Sequence, residues 1–294
     1  MALVDVVVVS YNSRRQLRRC VEQLAAEDGV QVIVVDNASS DGSLEEVEDL
    51  PVRSIGLELN GGFATGCNAG WRAGAAPFVL FLNPDASIEP ASIRRLVDQL
   101  EHEDRVGAAG PRIDEADGSL DYSQRRFPRL RSTYAQALFL HRVFPRSLWA
   151  DETVRDDAAY ARPGAAEWIS GACMLVRRSA LERLGGWDEG FFMYCEDKDL
   201  CRRLWDAGYE VRFQPEARCR HTGGASAPRS SLLPILASSR VRYAGKHETR
   251  VVALLERAGV ALGAITHSLV ARSAPMRAGH ARSLLAAARP SRAR

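Results

Sequence analysis

The sequence is short of the features that mark several protein classes. Its six cysteines (Cys20, Cys67, Cys173, Cys195, Cys201 and Cys219) are scattered, and none forms a C-x-x-C pair. That spacing argues against a zinc site; such thiols are expected to be free, in a reducing cytoplasm. No run of 18 or more uncharged apolar residues occurs, so no segment is expected to span a bilayer. Met1 is followed almost at once by Asp5, without the basic flank of a secretory leader. The net charge is only +2 over 294 residues, and so even a balance predicts no nucleic-acid partner. No glycine run follows the first apolar segment, where a dinucleotide-binding oxidoreductase would need one.

What is present describes a globular protein. An apolar fraction of 46% and a charged fraction of 26% are ordinary, and the length suits one large α/β domain plus an extension. Charge is unevenly spread. From Arg229 to Arg294 there are 12 Lys and Arg against two acids, a net of +10, which leaves −8 for residues 1–228. A basic tail on an acidic body is read either as a contact with something anionic or as a solvated helical face.

Apolar patterning gives the architecture. Leu3 to Val9, Val30 to Val35 and Phe78 to Leu82 are short, valine-rich or wholly apolar runs, expected as buried parallel strands; Val52 to Leu59 is a weaker one. Helices are expected over Arg14–Ala26, Ser43–Leu50, Phe63–Gly74 and Ser92–His102. Strand and helix in alternation require crossover connections and a mostly parallel, doubly wound sheet. After about residue 105 the pattern loosens. Asp114 to Gly118 reads as a turn, and Arg125 to Arg162 as a loop-and-helix segment over the site. Trp168 to Arg178 reads as a loop entering a strand, followed by helices over Ser179–Leu184 and from Glu196 to about Gly208. A short strand is expected at Glu210–Phe213.

Polar residues collect where this topology binds ligands, past the carboxyl ends of strands. Tyr11 and Asn12 follow the first strand, Asp36 the second and Asp85 the fourth. Asp36 opens Asp-Asn-Ala-Ser-Ser-Asp-Gly-Ser, which is either a turn or a carboxylate for a base or ribose; Asp41 and Ser43 read as turn and cap residues. Asn60-Gly61-Gly62 leads into a helix through Asn68, where small residues serve either tight packing or a diphosphate at a helix N-terminus. Asp85, after a buried strand, suits Mg²⁺ or Mn²⁺, which with a diphosphate needs only one or two protein carboxylates. Glu196, Asp197 and Asp199 crowd the first turn of a helix beside four aromatics. A helix dipole explains acids there; an apolar surround also suits a general base.

Taken together these residues resemble the family-2 glycosyltransferases of the GT-A fold. The match runs through Val8–Asn12, Val34–Ser43, Asn60–Gly70, Leu82–Asp85, Gly171–Arg177 and Phe192–Leu200, with His221, Gly224 and Ser226 completing it. The Leu-Asn-Pro-Asp form with a late His is most similar to bacterial rhamnosyltransferases of cell-wall linker, O-antigen and polysaccharide assembly. The resemblance implies an inverting enzyme, with Tyr11, Asn12, Asp36, Asn60, Gly62, Asn68 and Asp85 toward a nucleotide-sugar donor (dTDP-, UDP- or GDP-linked). It implies Asp85 and His221 as metal ligands, Asp197 as catalytic base, and Trp168, Glu196 and Asp199 toward a glycan or lipid-linked acceptor. L-Rhamnose is the expected sugar, with galactofuranose or another hexose as the alternative. Two departures stand out: Asn83 where many members carry the first Asp of D-x-D, and Cys67 where many carry an Arg, so that a diphosphate contact is expected to be missing or replaced there.

Residues 1–228 are therefore expected as the catalytic domain, with 1–105 the nucleotide-sugar half and 106–228 the acceptor half, and 229–294 as a helical basic extension. Its apolar stretches at Val251–Leu255 and Val260–Leu269 are read as a peripheral membrane contact on the inner face of the plasma membrane, a helix packed on the domain, or a homodimer contact. Residues beyond about Ala274 are expected to be disordered. A nucleotidyltransferase would need a glycine-rich loop near Asn12. A non-catalytic nucleotide-sugar binding protein would have no need of Asp197.

Overall fold

The computed structural model describes residues 2–147, 149–223 and 228–288, so Gly224 and Ser226 lie outside the described residues. The first half alternates as its patterning predicts: β1 (Val4–Ser10), α1 (Arg14–Ala25), β2 (Val30–Asp36), β3 (Arg53–Gly56), α2 (Phe63–Ala73) and β4 (Phe78–Leu82). Then come β5 (Ala86–Ile88), α3 (Pro90–His102) and β6 (Val106–Asp114). Small strands β7 (Leu120–Asp121) and β8 (Gln124–Arg125) lead to α4 (Leu130–Ala137) and α5 (Leu140–Val143). Next are β9 (Gly164–Ala165), β10 (Trp168–Ile169), β11 (Cys173–Arg177), α6 (Arg178–Leu184), α7 (Glu196–Asp206) and β12 (Glu210–His221). Three helices follow: α8 (Arg229–His247), α9 (Arg250–Val270) and α10 (Ala274–Ala288).

The large sheet runs β3-β2-β1-β4-β11-β6-β12-β5. Strands β3, β2, β1 and β4 are parallel, β11 is antiparallel to both neighbours, and β6 and β12 are parallel again. Period-two alternation builds a core on each face. Val6, Val8, Val32, Val34, Leu80 and Leu82 pack under α1 and α3. Val7, Val9, Val79 and Phe81 pack with Cys67, Trp187 and Leu200 on the other face. Valine suits strands buried on both sides because its branched Cβ fits the pleat.

The structure departs from the patterning in five places. Ser43–Leu50 is one turn of 3₁₀ helix at Leu44–Val47, and the third strand shortens to Arg53–Gly56. The central strand β6, Val-Gly-Ala-Ala-Gly-Pro-Arg-Ile-Asp, lacks a strand's usual composition; its small residues let Leu204 and Ile169 press against the backbone. Strand β12 extends to His221, bulged between Gln214 and Arg218. Residues 274–288 form a helix rather than a disordered end, with the Arg257 guanidinium donating to the carbonyls of Ala287 and Ala288.

One charge sits deep in this core. Asp5, the second residue of β1, is fully buried; its Oδ2 accepts from Arg178 at 2.5 Å and from the Ala76 N–H at 2.9 Å. Arg178 also donates to the carbonyls of Trp71 and Ala76, fastening α6 to the start of β4. Removing one partner of a buried pair leaves the other charge uncompensated. Arg178→Met is therefore expected to lower stability by about 3–5 kcal/mol in urea denaturation. The double variant with Asp5→Asn is expected to recover part of that loss.

Candidate active site

The carboxyl edge of the sheet gathers the polar residues. In register, Ser10 of β1 stands opposite Asp36 of β2. Asp36 Oδ2 accepts from the Ser39 N–H at 2.8 Å and Oδ1 from the Ser39 hydroxyl at 2.5 Å. Asn12, at φ +52°, accepts on Oδ1 from the Ser40 N–H at 2.9 Å, while its own N–H donates to Ser39 Oγ at 2.8 Å. The two loops thus hold each other, and Asp41 and Ser43 tie them to α1 by accepting from the N–H groups of Arg14 and Ser13. Tyr11 stays exposed beside them, with its ring available to a flat ligand.

The glycine turn is occupied differently from expectation. The N–H groups of Gly61, Gly62 and Phe63 donate to Asn37 Oδ1, Asn60 Oδ1 and the Phe192 carbonyl, each at 3.0 Å. They are therefore not free to cradle a diphosphate. Gly62, at φ +90°, exists for contact: a Cβ there would lie 2.2 Å from the Phe192 oxygen. Asn60 holds the turn. Asn68 is buried, donating to the Trp187 carbonyl and Glu189 and accepting from Trp71 and the Trp187 N–H. Gly62 and Asn68 thus fasten α2 to the loop before α7, while Asn60 holds the turn locally. Cys67 is likewise in the core, fully buried. Asn37, missed among the turn formers after β2, ties the glycine turn to the end of β2: its Nδ2 donates to the Gly62 carbonyl at 3.0 Å.

Past β4, Asn83–Ala86 forms a β-turn that presents Asp85. Strand β12 pairs with β5 so that His221 lies opposite Ala86, and His221 Nε2 comes within 3.1 Å of Asp85 Oδ1. Two cis ligands of one octahedral Mg²⁺ or Mn²⁺ stand about 3 Å apart, so this pair fits a divalent ion completed by phosphate oxygens and water. The hydrogen bond to Asp85 raises the His221 pKa against its burial. No cluster of three or more His, Cys, Asp or Glu able to hold a metal occurs among the described residues.

Asp197 lies in the first turn of α7, half-buried. Its Oδ2 accepts from the Gly171 N–H at 3.0 Å and its Oδ1 from the Lys198 N–H at 2.8 Å. The next carbonyl, Ala172 O, accepts from the Asn83 N–H at 2.9 Å. Two consecutive residues therefore join the Asp197 carboxylate to the turn that carries Asp85. Entry to α7 is strained, with Tyr194 and Cys195 both left-handed at φ 69° and 67°, a feature that clusters at functional sites.

The neighbouring acids turn inward. Glu196 is buried with Oε2 unbonded among the described residues. Desolvation, with the Asp197 charge second, pushes its carboxyl up to about 8. Asp199 is fully buried and holds Arg203 and His247, each at 2.7 Å, and Lys246 at 2.7 Å. Burial would raise it, but the hydrogen bond to His247, with Arg203 and Lys246, brings it down to about 2. Trp168 is buried too, its indole N–H donating to the Arg126 carbonyl and its ring under Lys198. All three side chains are buried: Trp168 packs in the core and Asp199 anchors α8. That anchoring is extensive. Arg242 and Lys246 reach Asp188, Ser239 donates to the Met193 carbonyl, and Arg240 joins Lys198 at Glu152. Burial would raise Glu152, yet Lys198 and Arg240 hold it down.

A carboxylate presented at the edge of an open α/β sheet, beside an Asp–His pair suited to a divalent ion, defines a site for a phosphorylated ligand at the carboxyl ends of the strands. Comparison places it within a class. A mannosyltransferase of Pyrobaculum calidifontis, PcManGT, solved with GDP-Man and Mn²⁺, superposes with a TM-score of 0.59 at 18% identity, over 97% of this chain and 86% of that one. Staphylococcus aureus TarS 1–349 with UDP-GlcNAc gives 0.55 at 15%, over 98% and 89%. The fold is the GT-A glycosyltransferase fold. The profile of glycosyl transferase family 2 matches residues 5–185, and the chain belongs to that family. It is 34% identical over 256 residues to the N-acetylglucosaminyl-diphospho-decaprenol L-rhamnosyltransferase of Mycobacterium tuberculosis (strain ATCC 25618 / H37Rv), covering 82% of this chain and 83% of the relative. Rhamnosyltransferase WbbL of Escherichia coli (strain K12) is 28% identical over 235 residues, 74% and 83%. The chain is a glycosyltransferase.

The buried Glu196 gives a pH signature. Its folded pKa, near 8, lies above the roughly 4.3 of an unfolded Glu. Between those values the folded state holds a proton the unfolded state has lost, so stability falls as pH rises. Glu196→Gln is expected to be more stable than the parent by a margin that opens above about pH 4 and levels off beyond about pH 8. Melting temperatures across a pH series check this; a margin independent of pH contradicts it.

Proposed function

We propose that the chain transfers L-rhamnose from dTDP-rhamnose to a hydroxyl of a polyprenyl-diphosphate-linked N-acetylglucosamine, or a closely similar lipid-linked sugar, with inversion. The observation that carries this reading is the two-residue link, Gly171–Ala172, between the Asp197 carboxylate and the Asp85 turn. It holds a base and a diphosphate-side acid in fixed relation. The activities of the mycobacterial and Escherichia coli relatives suggest the sugar, and the former also suggests the acceptor class. The inner face of the plasma membrane is the place where such an acceptor meets a soluble donor.

In this reading Tyr11 stacks on the nucleotide base, and Asp36 and Asn12 shape the ribose side of the loop. Asp85 and His221 would hold the divalent ion, which supplies charge neutralisation to the departing diphosphate when bound. Asp197 takes the proton from the acceptor hydroxyl as that oxygen bonds to the anomeric carbon. The bond from that carbon to the diphosphate breaks on the opposite face. The two backbone N–H groups on Asp197 fix its direction, so no side-chain search precedes proton transfer. The sugar passes through an oxocarbenium-like transition state, as in glycoside hydrolysis. Residues 1–105 serve the donor in this scheme and 106–228 the acceptor.

A panel of dTDP-rhamnose, UDP-galactofuranose, UDP-GlcNAc and GDP-mannose with Mg²⁺ or Mn²⁺ tests the reading. Release of dTDP from dTDP-rhamnose is expected, and Asp197→Asn is expected to lower kcat about 10³-fold while dTDP binding persists. Turnover of another donor instead would replace the sugar. Binding without turnover by the parent chain would leave a nucleotide-sugar binding protein.

A further inference from the structure

Helix α9 is built inside out. In a helix at a protein–water surface the large apolar side chains face inward and the charges outward. Here the buried positions are Glu256, Gly259 and Ala264. Glu256 accepts from the Thr133 hydroxyl at 2.6 Å, and Thr266 donates to the Ala137 carbonyl at 2.6 Å. The outward face is Val251, Leu254, Leu255, Ala258, Ile265 and Leu269, and Val251, Leu254 and Leu269 are 68%, 65% and 80% exposed. At 100° per residue these six fall within a stripe about 100° wide and about 27 Å long. Past its C-terminal half, Phe139 stacks on His267 at 4.4 Å. That contact brings the α5 segment alongside, with Val143, Phe144 and Trp149 also exposed.

The charge around the stripe has one sign. Between residues 250 and 288 Glu256 is the sole acid, and it is buried. Arg250, Arg272 and Arg277 are exposed there, and Arg142 and Arg146 flank the α5 patch. A second copy docked on this face would set arginine against arginine with no acid to pair. Anionic headgroups would neutralise both rims. By length and composition alone α9 is apolar enough to cross a bilayer, contrary to the expectation from uncharged runs. Its inner face, however, is bonded to α4 through Glu256, Thr266 and His267, and crossing would break those bonds.

We propose that the outward face of α9, with the α5 patch, docks flat on an anionic lipid bilayer. The stripe enters the headgroup–acyl boundary and the arginines meet acidic headgroups. This deepens the lipid-linked acceptor reading, since it brings the chain to the surface where such an acceptor resides, and it rests on that reading only for its purpose.

Vesicle flotation tests it, with phosphatidylcholine vesicles with and without phosphatidylglycerol. The full chain is expected to float with the anionic vesicles, less so at high salt, and Leu254→Gln/Ile265→Gln/Leu269→Gln is expected to bind at least about tenfold more weakly. All three sites are exposed, and unchanged circular dichroism checks that the variant folds. Turnover with a water-soluble acceptor reads the reaction separately, and variant and parent are expected to match there. Equal vesicle binding by variant and parent overturns the proposal. So does a parent chain that ignores vesicles, and if that chain is a dimer which the triple substitution splits, the face is covered by a second copy.

Discussion

Two consecutive residues, Gly171 and Ala172, set the geometry of the proposed reaction centre. The Gly171 N–H reaches the Asp197 carboxylate and the Ala172 carbonyl receives the Asn83 N–H. The segment immediately precedes β11, the strand that runs antiparallel between β4 and β6. Because β11 is pinned to β4 in register, Cys173 opposite Leu82, the acid at the end of β4 and the acid at the start of α7 cannot move independently. A methyl at position 171 would stand 3.2 Å from Asp197 Cβ, so even a small side chain would press on the base. Preorganisation of this kind lowers the cost of orienting groups during reaction.

The loop between Trp187 and α7 is held from two sides. On one, Gly62, Phe63 and Asn68 fasten it to α2. On the other, α8 fastens it through Ser239, Arg242, Lys246 and His247. Two successive left-handed residues persist at its end because surrounding contacts over-determine them. The first C-terminal helix is therefore part of the support for Asp197, the proposed base. The second carries an apolar face outward. One basic extension thus does two kinds of work, stiffening the site through buried ion pairs and presenting a surface.

Much of this was legible in the sequence, and the limits have a common cause. Valine-rich runs announced β1 and β2 and the apolar Phe78–Leu82 run announced β4, and Asp36, Asp85 and Asp197 stood where strand ends and a helix start would put them. His221 was legible only through family resemblance; its meeting with Asp85 depends on β12 running eight residues past Phe213 over a bulge. Residue type did not reveal direction. Asn68, Trp168, Glu196 and Asp199 have the chemistry of ligands, yet the fold buries them, and several of their partners lie more than 40 residues away. Strand β6 was missed because glycine, alanine and proline occur where packing, rather than propensity, makes the strand.

The central claim is that Asp85 and His221 mark the diphosphate end of a site whose base is Asp197. The most direct measurement is anomalous diffraction from crystals grown with dTDP and Mn²⁺. The account predicts one manganese peak bound by Asp85 Oδ1 and His221 Nε2, with dTDP phosphate oxygens completing it and the Asp197 carboxylate facing the vacant sugar position. A manganese peak bound by neither residue, or dTDP lying away from the Asp85 turn, would contradict it.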